Sequence, residues 1–171
     1  MQMALEQEYV EYVKARIPAL RRLAYSLCGD EHRADDIVQQ TITKLYTRWR
    51  RARAAASLDR YVRTMLVRAY LDEKRLGWSL RVRLSATLPD RPAPAGPDLD
   101  DRAVLRAALA QLPRRQQAVV VLRFVCDLSV NEVAETLGCS PGTVKSQTSH
   151  GLAALRRRLG AEALAVLGNR G

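Results

Sequence analysis

Four of the seven prolines in this 171-residue chain fall between Gly77 and Asp100, and that clustering limits the fold more than any other feature. Proline removes the amide donor that a helix or sheet needs and biases the backbone toward extended conformations. Pro89–Asp100 therefore reads as a linker, within a connecting segment 77–100. It leaves two small bodies, residues 1–76 and 101–160, and a short tail, 161–171. On both sides apolar residues recur at helical spacing. Before the segment, Tyr9, Val10, Val13, Ile17, Leu20, Leu23, Ala24 and Leu27 form one such stripe, which Pro18 should kink or restart. Gly29-Asp30 ends it. Glu31–Arg51 resumes with Ile37, Val38, Thr41, Ile42 and Leu45, and roughly Asp59–Leu76 follows with Tyr61, Val62, Met65, Leu66, Ala69 and Tyr70. After the segment, helices are expected at about Asp101–Gln111, Arg114–Cys126, Ser129–Leu137 and Pro141–Leu159. Pro113 and Gly138 stand at favoured ends, and Ser129 with Glu132 forms a capping box. One Phe, two Trp and six Tyr leave Leu, Val and Ala to build the cores. The expected fold class is all-α, two small helical domains joined by a Pro-rich linker.

The formal charge is +10, distributed as +5 over residues 1–80, zero over 81–100 and +5 over 101–171. Two basic halves suggest a polyanionic partner, either nucleic acid or an anionic membrane surface; the alternative is an Arg-rich solvated surface. A membrane-surface helix needs large apolar anchors opposite its basic face, and the stripes here are composed like core formers. Met1–Val10 contains Glu6 and Glu8 and no apolar run, and nothing approaches a spanning helix, so a cytoplasmic location is expected. Cys28, Cys126 and Cys139 fit neither a disulfide framework nor a zinc pattern. Cys139 is expected as a small buried hydrophobe, with a redox-sensitive thiol as the alternative. The two histidines, His32 and His150, lie far apart without metal-like spacing. No catalytic residue, metal or cofactor is expected.

The segment SVNEVAETLGCSPGTVKSQTSHGLAALRRRL has the local requirements of a helix-turn-helix. Ala134 supplies a small residue where the helices cross, Gly138 tolerates a left-handed turn, and Val144 pins the second helix to the first. Ser140 caps that second helix, with Pro141 at its first position. A plain helical hairpin is the alternative. Against it, the solvent side offers Lys145, Ser146, Gln147, Ser149 and His150, then Arg156, Arg157 and Arg158, groups suited to base edges and phosphate.

Extended to LPRRQQAVVVLRFVCDLSVNEVAETLGCSPGTVKSQTSHGLAALRRRL, this part of the chain resembles the C-terminal domain of extracytoplasmic-function sigma factors. The resemblance implies a domain that reads the minus-35 promoter element in the major groove, through Lys145, Ser146, Ser149 and His150. Gly142-Thr143 can offer backbone donors to phosphate. Gln147 stands where many members carry Arg; it can pair with adenine at a loss of charge.

HRADDIVQQTITKLYTRWR resembles the family's region 2.2, whose common form reads Asp-Ala-Glu-Asp-Leu-Val-Gln-Glu. The implied partner is core RNA polymerase, gripped at its beta-prime clamp helices, with the beta subunit as a further contact. Asp35, Asp36, Gln39 and Gln40 would form a polar rim around aliphatic contacts such as Ile37. Alternatively the two acids serve only the helix dipole. Gln40 departs from the usual Glu.

YVRTMLVRAYLDEKRL resembles the helix that recognises the minus-10 element, with Arg63, Arg68, Lys74 and Arg75 as its cations. Arg68 replaces a frequent Asn. Tyr61 and Tyr70 could stack on bases, but their register with Met65, Leu66 and Ala69 favours the core. The preceding loop, Arg51–Ser57, corresponds to the family's base-capturing loop.

Together the resemblances cover about residues 8–76 and 101–160, and within the family they point to the short actinobacterial SigE-type group. They imply a promoter-specificity subunit for core polymerase, with promoter DNA as ligand and an anti-sigma factor as a partner left open. A stand-alone helix-turn-helix regulator is the rival. It explains the second half but not the first.

Overall fold

The computed structural model describes residues 1–73 and 97–160, with backbone alone for 97–101. Lys74, Arg75, most of the Pro-rich segment and the tail 161–171 lie outside the described residues. Every regular element among those described is helical, and the chain divides into two compact units, Met1–Tyr70 and Leu71–Gly171.

The first unit opens with α1, Gln2–Cys28, which runs unbroken through Pro18. Neither a restart nor a second helix follows the proline. Its missing amide falls on an exposed face beside exposed Lys14, so water can satisfy the carbonyl left without a partner. Gly29 ends the helix at φ 69°, and Asp30 then caps α2, Glu31–Thr47, its Oδ1 accepting the amides of His32 and Arg33 at 2.8 and 3.4 Å. The stretch expected as one helix to Arg51 is divided at Arg48, and α3, Trp49–Arg53, turns back toward the core. The expected loop Arg51–Ser57 is accordingly shorter, because its first three residues are helical.

Ser57 accepts the Arg60 amide at 3.2 Å at the start of α4, Leu58–Asp72. Asp59 on α4 accepts the Tyr12 hydroxyl at 2.8 Å and pairs with Arg16, tying α4 to α1. Partial burial and that bond push the Tyr12 phenol above its ordinary range. Inside, Leu27, Ile37, Leu45, Val62, Leu66 and Tyr70 are almost fully enclosed, and Trp49, outside the expected stripes, joins them at 5% exposure.

The second unit begins with α5, Pro97–Ala110, four residues before its expected start. Pro97 thus opens a helix, where its lost amide would have been unpaired anyway. Next comes α6, Arg114–Val120, continued by a π-helical turn over Val121–Val125 that replaces the expected regular helix. The Cys126 amide reaches back to the Val121 carbonyl at 3.0 Å, and Asp127 adopts φ 54°, which a short polar side chain tolerates. The Arg123 guanidinium donates to the Leu128 carbonyl, closing this turn. Five successive residues, Ala118–Leu122, are essentially inaccessible, so the segment is central and buried on all sides.

Around it stand α7, Val130–Leu137, and α8, Pro141–Leu159. The backbones of α8 and α6 approach closely at Gly151, where an added Cβ would meet Val120 Cγ2 at 2.8 Å. A β-branched neighbour held in one rotamer cannot move aside cheaply. Gly151→Leu is therefore expected to lower stability by about 1–3 kcal/mol or more. In a domain of this size that is a fall of about 4–8 °C in melting midpoint per kcal/mol, followed by circular dichroism. An unchanged midpoint would show that the crossing has slack.

Candidate nucleic-acid interface

The three positions read as a helix-turn-helix frame take the geometry they require. Ala134 is 5% exposed and Val144 fully buried, and Gly138 sits at φ 66°, ψ 41°. The amides of Gly138 and Cys139 both return to the Ala134 carbonyl, satisfying the end of α7. The capping box at its start is complete: Ser129 Oγ accepts the Glu132 amide at 3.1 Å, and Glu132 accepts the Ser129 amide at 2.8 Å. Arg115, not singled out in the sequence, donates to the Leu137 carbonyl at 3.3 Å and ties α6 to the turn. Its only signal is a cation available to a helix C-terminus.

Ser140 Oγ accepts the Thr143 amide at 3.1 Å. That cap occupies one of the two donors expected of the Gly142-Thr143 step, and Gly142 itself is exposed. Beyond it, Lys145, Ser146, Ser149 and His150 are all exposed and share one side of α8, with Val144, Gly151 and Leu155 buried opposite. Gln147 and Thr143 are half-buried, at the margin of this face rather than on it. Arg156 and Arg157 are exposed in the last turn. Arg158, grouped with them in the sequence, is bonded to Gln111 at 2.7 Å. The whole of α8 carries four cations and no acid. A helix of this width fits the major groove, and an acid-free surface meets phosphate without repulsion. Cys139, beside the turn, is half-buried and free rather than enclosed.

In the first unit the polar rim expected on α2 is only partly present. Asp36, Gln39 and Gln40 are exposed on one stripe of the helix. Ile37 does not belong with them. It is fully buried in the unit's own core and offers nothing to a partner. Its place in the 3.6-residue period puts it beside Val38, Thr41 and Leu45 on the inward face. Asp35 is already engaged, its carboxylate held by Arg21 at 2.9 Å. On α4, Arg68 is exposed, whereas Arg63 is half-buried with its Nε enclosed and without an acceptor among the described residues. Tyr70 is core at 2% exposure, and Tyr61 is half-buried at the edge. Lys74 and Arg75 lie beyond the described part of this helix.

Two family patterns match the chain in this order: "Sigma-70 region 2" over residues 12–79 and "Sigma-70, region 4" over residues 102–155. The chain belongs to the sigma-70 family. Its relatives include the RNA polymerase sigma-E factor of Streptomyces coelicolor, 36% identical over 158 residues, which span 89% of this chain and 86% of that protein. RNA polymerase sigma factor SigV of Bacillus subtilis is 31% identical over 143 residues, 84% of this chain and 86% of that one. The fold resembles that of the sigma factor RpoE from Bartonella quintana, solved in complex with the anti-sigma factor NepR, with a TM-score of 0.69 at 24% identity over 91% of this chain and 98% of that one. This sigma factor thus falls in the extracytoplasmic-function branch, near the Streptomyces sigma-E proteins. It directs promoter-specific initiation of transcription by RNA polymerase.

Proposed function

We propose a residue-level division of labour for this sigma factor. The exposed stripe Asp36, Gln39 and Gln40 on α2 grips the clamp helices of core polymerase. Arg68, with Arg63, Lys74 and Arg75, handles the minus-10 element. Lys145, Ser146, Ser149 and His150 on α8 read the minus-35 element, Gln147 lying at the margin, while the Gly142 amide, Arg156 and Arg157 hold its phosphates. Residues 1–76, 77–100 and 101–160 act as polymerase-binding domain, connector and DNA-reading domain. The protein itself is non-catalytic, acts in the cytoplasm, where polymerase and DNA are, and takes an anti-sigma factor as a regulatory partner.

The observation that carries this reading is the acid-free, exposed face of α8 on a fully capped helix-turn-helix frame. Among the described residues no helix is long and apolar enough to cross a membrane, and no cluster of metal-binding side chains is present. Retention of purified core polymerase on the immobilised protein, followed by run-off transcription from selected promoters, tests it. Tight binding of the chain alone to a palindromic operator, without retention of core polymerase, would establish the stand-alone regulator instead.

A further inference from the structure

Between Val121 and Asp127 the chain departs repeatedly from ordinary geometry, on its way from α6 to the helix-turn-helix frame. The helix loosens into the π turn over Val121–Val125, and Asp127 takes a left-handed φ of 54° without being glycine. The Arg123 Nε is enclosed, yet has no acceptor among the described residues. Buried donors are normally satisfied, and such backbone persists only where its surroundings impose it, most often at functional sites. None of these residues lies on a surface assigned above.

The geometry serves to fix Leu128. The Leu128 amide donates to the Leu122 carbonyl at 3.0 Å, and the Leu128 carbonyl accepts from the Arg123 guanidinium. The Arg123 Cζ lies 5.7 Å from the centroid of the Phe124 ring, which restrains the guanidinium further. Leu128 is buried and directly precedes Ser129, the cap of α7. With Val133, also buried, it occupies the positions of a hydrophobic staple, which sets the angle at which a chain enters its helix. Gly138 and Val144 then join α7 to α8. Direct contact between α8 and α6 comes at Gly151, beyond Ser149 and His150. The half of α8 that carries Lys145 and His150 is therefore placed by α7, with the Gly151 crossing as its pivot.

We propose that Arg123 is a positioning residue for minus-35 recognition: by holding the Leu128 carbonyl it sets the angle of α7, and through α7 the tilt at which the reading half of α8 meets the base edges. The side chain acts inside the domain and touches no DNA. Hydrogen bonds to bases weaken steeply when distance or angle is wrong, whereas attraction to phosphate tolerates small displacements. Loss of Arg123 thus removes discrimination between bases and leaves the general attraction to DNA. The inference rests on the assignment of minus-35 reading to α8.

Two duplexes presented to reconstituted holoenzyme test it. One is a promoter that the holoenzyme selects from a random library, the other the same promoter with its minus-35 element scrambled. The ratio of the two affinities is read at a temperature where circular dichroism shows every variant folded. Arg123→Met keeps the apolar stem and loses the donor. Its ratio is expected to fall about tenfold, the size of one lost base contact, with affinity for the scrambled duplex unchanged. Arg123→Lys returns a donor to the carbonyl and restores the ratio. If Arg123→Met does not fold, Arg123→Gln carries the same expectation, because its amide ends where Nε now sits, short of the carbonyl. A wild-type ratio in the folded Met or Gln variant overturns the proposal. So does an equal loss on both duplexes, which is what a merely structural role predicts. Ser149→Ala is read in parallel. An unaltered ratio there defeats the reading by α8 itself, whereas an altered one beside a wild-type ratio at Arg123 defeats only the role of Arg123.

Discussion

Lysine at both Asp36 and Gln39 is expected to abolish retention of core polymerase while leaving helical content and melting midpoint unchanged. Both side chains point to solvent from a helix whose opposite face, Ala34, Ile37, Val38, Thr41 and Leu45, is buried. Lysine is a good helix former, so the exchange costs the fold little. At an interface, truncating one partner of a buried charge pair costs about 2–5 kcal/mol, and reversing its sign adds repulsion. That range is a loss of roughly thirty-fold to several thousand-fold in affinity. Asp35 serves as an internal control. Its ion pair with Arg21 is about half exposed, so Asp35→Ala should cost the roughly 0.2–1 kcal/mol of a surface pair and weaken core retention far less. Pull-down and circular dichroism on the two variants decide the matter. Full retention by a folded Asp36→Lys, Gln39→Lys protein would place the polymerase contact elsewhere.

Base reading and charge should separate along α8. Ser149→Ala and His150→Ala are each expected to cost about 1–3 kcal/mol at one base pair and to relax preference there, because each removes a hydrogen-bonding group from the exposed face. Arg157→Ala should instead lower affinity for every promoter alike and reduce the salt slope by about one. Arg158→Ala differs again. It breaks the bond to Gln111, so its effect should appear mainly in the stability of the second unit. A promoter-library readout on reconstituted holoenzyme at two salt concentrations measures the specificity effects together. An unaltered minus-35 preference in the Ser149 and His150 variants would show that α8 enters the groove by another face.

The helices of both units were legible in the sequence wherever an apolar stripe was bounded by a residue with one dominant conformational role. Gly29 and Gly138 accept left-handed backbone, and Asp30, Ser129 and Ser140 cap through short oxygen-bearing side chains. These are local effects, decided within a few residues, so the spacing in the chain contains them. The frame of Ala134, Gly138 and Val144 is of the same kind, and with it came the exposed face of α8. The same logic overstated Pro18 as a point where α1 could restart, because the penalty for proline depends on whether the freed carbonyl can reach water. That is a property of the side of α1 left uncovered by the rest of the unit.

What the tertiary structure alone decided was the role of each residue whose environment comes from distant segments. Ile37 lies between two acids and two glutamines in sequence, yet packing encloses it completely. Asp35 and Asp36 are adjacent and chemically alike, but only Asp35 faces Arg21, fourteen residues earlier. Trp49 and Gly151 carried no periodic signal; one fills a core from a five-residue helix and the other admits Val120 against a helix backbone. The π turn at Val121–Val125 was invisible for a related reason, since the apolar run Ala118–Leu122 that leads into it gives no phase from which an extra residue in one turn could be read. Sequence fixes which conformations each short stretch can adopt at low energy. Close packing then chooses among them, because volume, burial and charge pairing are shared between residues far apart in the chain.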